Sequence, residues 1–151
     1  MSNEPGLKSH QRLPHVLITG GSSGIGLAMA SLYLKMGKSV SLIARDEARL
    51  AAAKNQLEND RLKDGQEVLT ISADVASFQG VEEAVNQATE RLGPPEIVVM
   101  SAGVVDPGYF AELDMAQFRR DMDINYFGSL HVAKAVLPQM KLVGQGQLVF
   151  I

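Results

Sequence analysis

Apolar and polar positions along the chain follow two alternating periods. Short β-branched runs recur, and between them apolar residues return every three or four positions. His15-Val-Leu-Ile-Thr19, bounded by Pro14 and Gly20, predicts a buried strand. Residues 24–37 predict a helix ended by Gly37. Ser39-Val-Ser-Leu-Ile-Ala44 predicts a second strand and Asp46 to about Asn59 a second helix, with Asp46 and Glu47 in the first turn where the helix dipole favours acids. Glu67–Ser72 reads as strand three, Ser77–Leu92 as helix three and Glu96–Ser101 as strand four. One long helix is expected from about Met115 to Val143, capped by Asp114 with Gln117 as its third-position partner. Gln147-Leu-Val-Phe-Ile151 predicts a fifth strand. Strands alternating with helices in this way imply an α/β fold, a Rossmann-type doubly wound parallel sheet with helices on both faces.

Composition narrows the picture. The 151 residues are 46% hydrophobic, enough for a sizeable core, and carry a net charge of −3. A mildly acidic chain with no basic run has no footprint for nucleic acid or an anionic membrane. There is no Cys, and His10, His15 and His131 are scattered, which argues against a metal site. The longest apolar stretch, Ile97 to Val105, contains Ser101 and Gly103 and falls far short of the roughly 18 residues of a membrane span. The polar start of the chain lacks the apolar core of a signal peptide. Residues 1–13 read as a flexible arm, residues 14–151 as one dinucleotide-binding domain, and the cytoplasm is the expected location.

The first candidate chemistry lies between strand one and helix one, in Thr19-Gly20-Gly21-Ser22-Ser23-Gly24-Ile25-Gly26. A chain turning tightly around a pyrophosphate uses glycine to reach positive φ and to let backbone N–H groups approach oxygen. The helix N-terminus behind the turn adds unpaired donors and partial positive charge. The spacing is G-x-x-x-G-x-G and not the commoner G-x-G-x-x-G.

That spacing, with Asp74-Val75 after strand three, Ala102-Gly103 after strand four and Asn125-Tyr126-x-Gly128 in the long helix, resembles the short-chain dehydrogenase/reductase family over residues 14–151. More narrowly, Thr19–Gly26, Ser41-Leu-Ile-Ala-Arg45, Arg91-Leu-Gly-Pro94 and Ile124-Asn-Tyr-Phe-Gly-Ser129 are similar to the 3-ketodihydrosphingosine (3-dehydrosphinganine) reductases. The resemblance implies NADP(H) held by Thr19, Gly20, Ser22, Ser23, Gly24, Ile25, Gly26, Arg45, Arg49, Asp74, Val75, Ser101, Ala102 and Gly103, with no metal. It also implies a homo-dimer or homo-tetramer formed through the long helix.

NAD enzymes place an acid at the end of strand two for the ribose 2′-OH, and NADP enzymes a cation for the 2′-phosphate. The acid's position in the family is held here by Ala44, followed by Arg45. Arg49, four residues further, falls on the same helical face and can reach the same phosphate. Asp46 as a ribose acid is the competing reading. Asp74 either meets the adenine, as the family implies, or caps the turn that follows it. Ser101 stands where the family has Asn, so the bracing of the central strands by that side chain is reduced.

Phe118, Met122, Asn125, Ser129, Val132, Val136 and Met140 fall at steps of three and four and predict one helical face. A buried amide needs partners, so Asn125 is expected to be hydrogen-bonded. Either it locks or kinks the helix, or, as the resemblance implies, it is a catalytic residue that organises a water in a proton relay. His131 reads as a surface residue, and Pro138 as a bend.

Carbonyl reduction also needs a proton donor at the developing alkoxide. The family uses Tyr-x-x-x-Lys with a Ser after strand five. Four residues beyond Tyr33, Tyr109 and Tyr126 stand Gly37, Leu113 and Leu130, and the sequence ends within strand five. The expectation is the cofactor part of an NADPH-dependent ketone reductase, incomplete at its C-terminus and inactive alone. Three substrate readings stay open: a long-chain 3-keto sphingoid base; a 3-oxoacyl thioester, steroid or sugar; or none, as an NADP-binding fragment without catalysis.

Overall fold

The computed structural model describes residues 12–151, so most of the arm expected at residues 1–13 lies outside the described residues. β1 (His15–Thr19) is buried at every position. It pairs in parallel with β2 (Ser39–Ala44) on one side and β4 (Ile97–Met100) on the other. β3 (Val68–Ser72) extends the sheet beyond β2, and β5 (Gln147–Phe150) beyond β4, giving the order β3-β2-β1-β4-β5.

Successive strand side chains point to opposite faces, which separates two cores. Val16 and Ile18 of β1 pack with Leu42, Leu34 and Leu50 under α1 (Gly24–Lys35) and α2 (Glu47–Leu57). Leu17 packs with Ile43, Val98, Val85 and Val136 under α3 (Phe78–Leu92) and α5 (Gly128–Val143). The sheet is doubly wound, as the alternation of periods implies. Because both faces are covered, the central strands read as continuous apolar runs.

Helix starts follow local chemistry. Asp46 caps α2 by accepting the Arg49 N–H at 3.0 Å, and Ser77 caps α3 by accepting the Gly80 N–H at 3.2 Å. Asp114 and Gln117 form a reciprocal capping box on α4 (Met115–Asp121). Ser23, at the start of α1, makes no side-chain cap bond.

The long helix departs from expectation. Between α4 and α5, residues Met122–Phe127 form a π-helical segment. Each wide turn takes an extra residue, so the α-periodic face does not run through it. Val132, Val136 and Met140 are buried as expected, whereas Met122 is 50% exposed and Asn125 is exposed. Ile124 and Gly128 take the inward positions instead. Pro138 stands inside α5, which continues past it to Val143 before Gly144 ends it in the left-handed region (φ 79°).

Candidate active site

The order of strands reverses at β1, between its neighbours β2 and β4. Open α/β sheets form a crevice beyond the strand carboxyl ends at such a point. Here a cavity of about 400 Å³ occupies it. Its walls bring together most of the residues expected from the sequence: Gly20, Ser22, Ser23, Gly24 and Ile25; Arg45 and Arg49; Val75; Ser101, Ala102 and Gly103.

The turn after β1 is anchored from several sides. The Gly20 N–H donates to the Ile43 carbonyl at 2.8 Å, and the Ser101 N–H to the Thr19 carbonyl at 3.2 Å. Gly26 lies against the turn itself: a Cβ there would stand 2.5 Å from the Gly20 carbonyl oxygen. Gly24 has φ +55° and open space where a Cβ would be. The turn is therefore held firmly on its protein side and left open on its cavity side.

The start of α1 matches that opening. The first N–H groups of any helix lack intrahelical partners. α2, α3 and α4 each satisfy one with a capping side chain, and α1 does not. Its donors and its dipole face the cavity, a setting that suits an anion.

Across the cavity, Arg45 follows β2 and Arg49 lies in the first turn of α2, both exposed. Arg45 has no ion-pair partner among the described residues. Asp46 is committed to capping α2 and also pairs with Arg49 at 3.6 Å, an exposed contact of small energetic weight.

Thr19, Gly26, Asp74 and Asn125 stand outside the cavity wall. Thr19 is buried in β1, its hydroxyl oxygen accepting the Ala102 N–H at 3.4 Å. Asp74 accepts the Ala76 N–H at 3.0 Å, the turn-capping arrangement. Asn125 binds Val104, in the segment after β4, through both ends of its amide. His131 is not a plain surface residue. It is half-buried, because α5 packs against α3 and brings its Nδ1 to 2.8 Å from the Val75 carbonyl oxygen.

The wall also contains Ala44 and Asp46, weighed above for the cofactor ribose, and five residues with no role expected from the sequence: Ile43, Ala73, Val104, Ile124 and Ile151. Ile43, Ala44 and Ala73 were signalled by their place at the ends of predicted strands. Ile124 carried no such signal, since the π-helical segment sets its direction.

The description "short chain dehydrogenase" belongs to the family model that matches residues 14–151. This chain belongs to the short-chain dehydrogenase family. Among curated family members it is 41% identical over 138 residues to a 3-dehydrosphinganine reductase of Danio rerio and 42% identical over 138 residues to a 3-ketodihydrosphingosine reductase of Bos taurus. Both alignments cover 91% of this chain and 42% of the relative, so the chain spans less than half the length of these proteins. Among solved structures it superposes on an actinorhodin polyketide ketoreductase with NADPH at a TM-score of 0.83 and 32% identity, covering 90% of this chain and 51% of that one. An alcohol dehydrogenase from Thermococcus sibiricus, complexed with 5-hydroxy-NADP, matches at a TM-score of 0.80 and 32% identity, covering 90% and 57%.

Proposed function

We propose that the whole protein is an NADPH-dependent ketone reductase that converts 3-ketodihydrosphingosine to dihydrosphingosine, and that the residues described here are its cofactor-binding part. The observation that carries this reading is the pairing of two features across one cavity. The uncapped start of α1 offers N–H donors to a pyrophosphate, and Arg45 and Arg49 offer guanidinium groups to a 2′-phosphate. The open Gly24 position leaves room for the approach. The two solved relatives that carry an NADP form support the choice of cofactor, and the names of the curated relatives support the substrate.

In that role Gly20 and Ser22–Ile25 would hold the pyrophosphate and Arg45 the 2′-phosphate. Val75 and Ala73 would close the cavity on the β3 side, and Ala102 and Gly103 on the β4 side. Bound NADPH supplies the hydride. Both ends of the Asn125 amide face Val104, so its contribution to a relay water would come from its main-chain carbonyl, which accepts the Ser129 hydroxyl at 3.2 Å. None of Tyr33, Tyr109 and Tyr126 has a lysine four residues on. By itself the chain is therefore proposed to bind cofactor and leave the ketone unreduced.

Self-association is proposed through α5 and the π-helical segment, where Tyr126, Phe127, Leu130 and Leu137 are exposed. A cytoplasmic location is part of the same proposal, and no helix among the described residues is long and apolar enough to cross a membrane. The deciding experiment follows NADPH absorbance in the full-length protein. Oxidation on adding 3-ketodihydrosphingosine is expected. Oxidation only with an unrelated ketone would overturn the substrate, and cofactor binding without turnover on any ketone would overturn the enzyme.

A further inference from the structure

Val75 forms the apolar wall of the cavity next to β3 and is 5% exposed. It lies in the turn between β3 and α3, whose course is set by bonds from the Ala76 N–H to Asp74 Oδ1 and from the Ser77 N–H to the Asp74 carbonyl. Among the described residues, no backbone N–H bonds the Val75 carbonyl itself. A buried carbonyl needs a donor, and α5 supplies it. His131 Nδ1 lies 2.8 Å from that oxygen. A carbonyl only accepts, so Nδ1 carries the proton. The imidazole is steadied by an edge contact with Phe78, with ring centroids 5.7 Å apart.

Gly128, on the same helix, meets the Val75 side chain. A Cβ at Gly128 would stand 2.8 Å from Val75 Cγ2 and 3.1 Å from its Cβ. One residue of α5 therefore holds the main chain of Val75, and another makes room for its side chain. Together they fix how far the wall projects into the cavity.

We propose that His131 and Gly128 are positioning residues for the adenosine side of the cofactor cavity, acting through Val75. This rests on the NADP reading above. The extra phosphate of NADP is on the adenosine ribose, so a phosphate at Arg45, after β2, places the adenine toward β3 and Val75.

The test is calorimetric titration of the parent chain, His131→Leu, His131→Asn and Gly128→Ala with NADPH, adenosine 2′,5′-bisphosphate and reduced nicotinamide mononucleotide. Loss of one hydrogen bond weakens binding about threefold to tenfold. H131L and G128A are expected to lose that much for NADPH and the bisphosphate, with the mononucleotide unchanged. H131N, which keeps a donor near the same place, restores parental affinity. Equal weakening of both halves, parental affinity in H131L, or failure of asparagine to rescue would each overturn the proposal. If H131L does not fold, G128A decides: selective weakening supports the wall, and its absence overturns it. A parent chain that binds no nucleotide sinks the cofactor reading instead. A parent that prefers ADP to the bisphosphate sinks only the NADP assignment, and the Val75 comparison is then made with ADP.

Discussion

Asn125 and Val104 are joined twice: the Val104 N–H donates to Asn125 Oδ1 and Asn125 Nδ2 donates to the Val104 carbonyl, each at 2.8 Å. The pair staples the π-helical segment to the chain leaving β4, next to Ala102 and Gly103 in the cavity wall. Asn125→Ala removes both bonds and is expected to cost about 1–2 kcal/mol, or roughly 2–8 °C in Tm. Asn125→Asp keeps the acceptor but sets an oxygen against the Val104 carbonyl, and is expected to recover little. A Tm for N125A equal to the parent's in a calorimetric scan would remove the staple from the account.

Arg45 decides between cofactors. Arg45→Asp exchanges a guanidinium for a carboxylate beside the proposed 2′-phosphate. NADPH affinity is expected to fall about tenfold or more, with NADH affinity retained or raised, because charge-assisted bonds contribute about 1.5–3 kcal/mol. Fluorescence titration with both nucleotides reads the difference. Equal loss for both would assign Arg45 to the fold.

His15 makes stability depend on pH. It is 1% exposed; its Nδ1–H donates to the Gly93 carbonyl at 2.7 Å, and Nε2 lies 2.8 Å from the Ser41 hydroxyl. Burial lowers its pKa from 6.5 to about 4, against the raising effects of the Gly93 bond and of Glu96. The unfolded chain therefore takes up this proton first. Stability is fully present above pH 6.5, falls as pH drops from there to about 4, and then levels, a loss of about 3 kcal/mol in all. Urea unfolding at pH 7.5 and pH 5 should show the decline in the parent and a flatter profile in His15→Asn. Identical slopes would refute it.

Gln66 is the most fully used polar side chain in the fold. It is 0% exposed; its Oε1 accepts the N–H groups of Leu62 and Lys63, and its Nε2 donates to the carbonyls of Leu34 and Lys38. It ties the end of α1 to the segment before β3. Gln66→Leu leaves the buried partners without bonds and is expected to lower stability by about 3 kcal/mol or more. Chemical unfolding at neutral pH measures it, and a change below 1 kcal/mol would mean that water replaces the amide.

Sequence and structure agree most closely where the deciding physics is local. The flanking Pro14 and Gly20 and the apolar run between them are enough to place β1, and the Asp114–Gln117 pair announces its own capping box. Arg45 and the glycine turn were legible because they follow predicted strands, and strand ends in this topology converge on one crevice. Gln66 was not legible, since an amide in a polar loop looks solvated until α1 is packed over it. His131 and Ile124 were obscured for a related reason. Their directions depend on how α5 docks against α3 and on the wide turn before it, neither of which leaves a trace in local periodicity.

The segment Met122–Phe127 works as a one-residue phase shift within the chain's longest helical stretch. At 3.6 residues per turn, a single residue corresponds to roughly 100° of rotation. Closing the wide turn to α geometry with every residue kept would rotate α5 against α4 and swing Val136 and Met140 away from the sheet, whereas deleting one residue along with the wide turn would leave their phase unchanged. A single-residue insertion between residues 122 and 127 should accordingly be less tolerable than a single-residue deletion there, since only the deletion lets α4 run into α5 in phase.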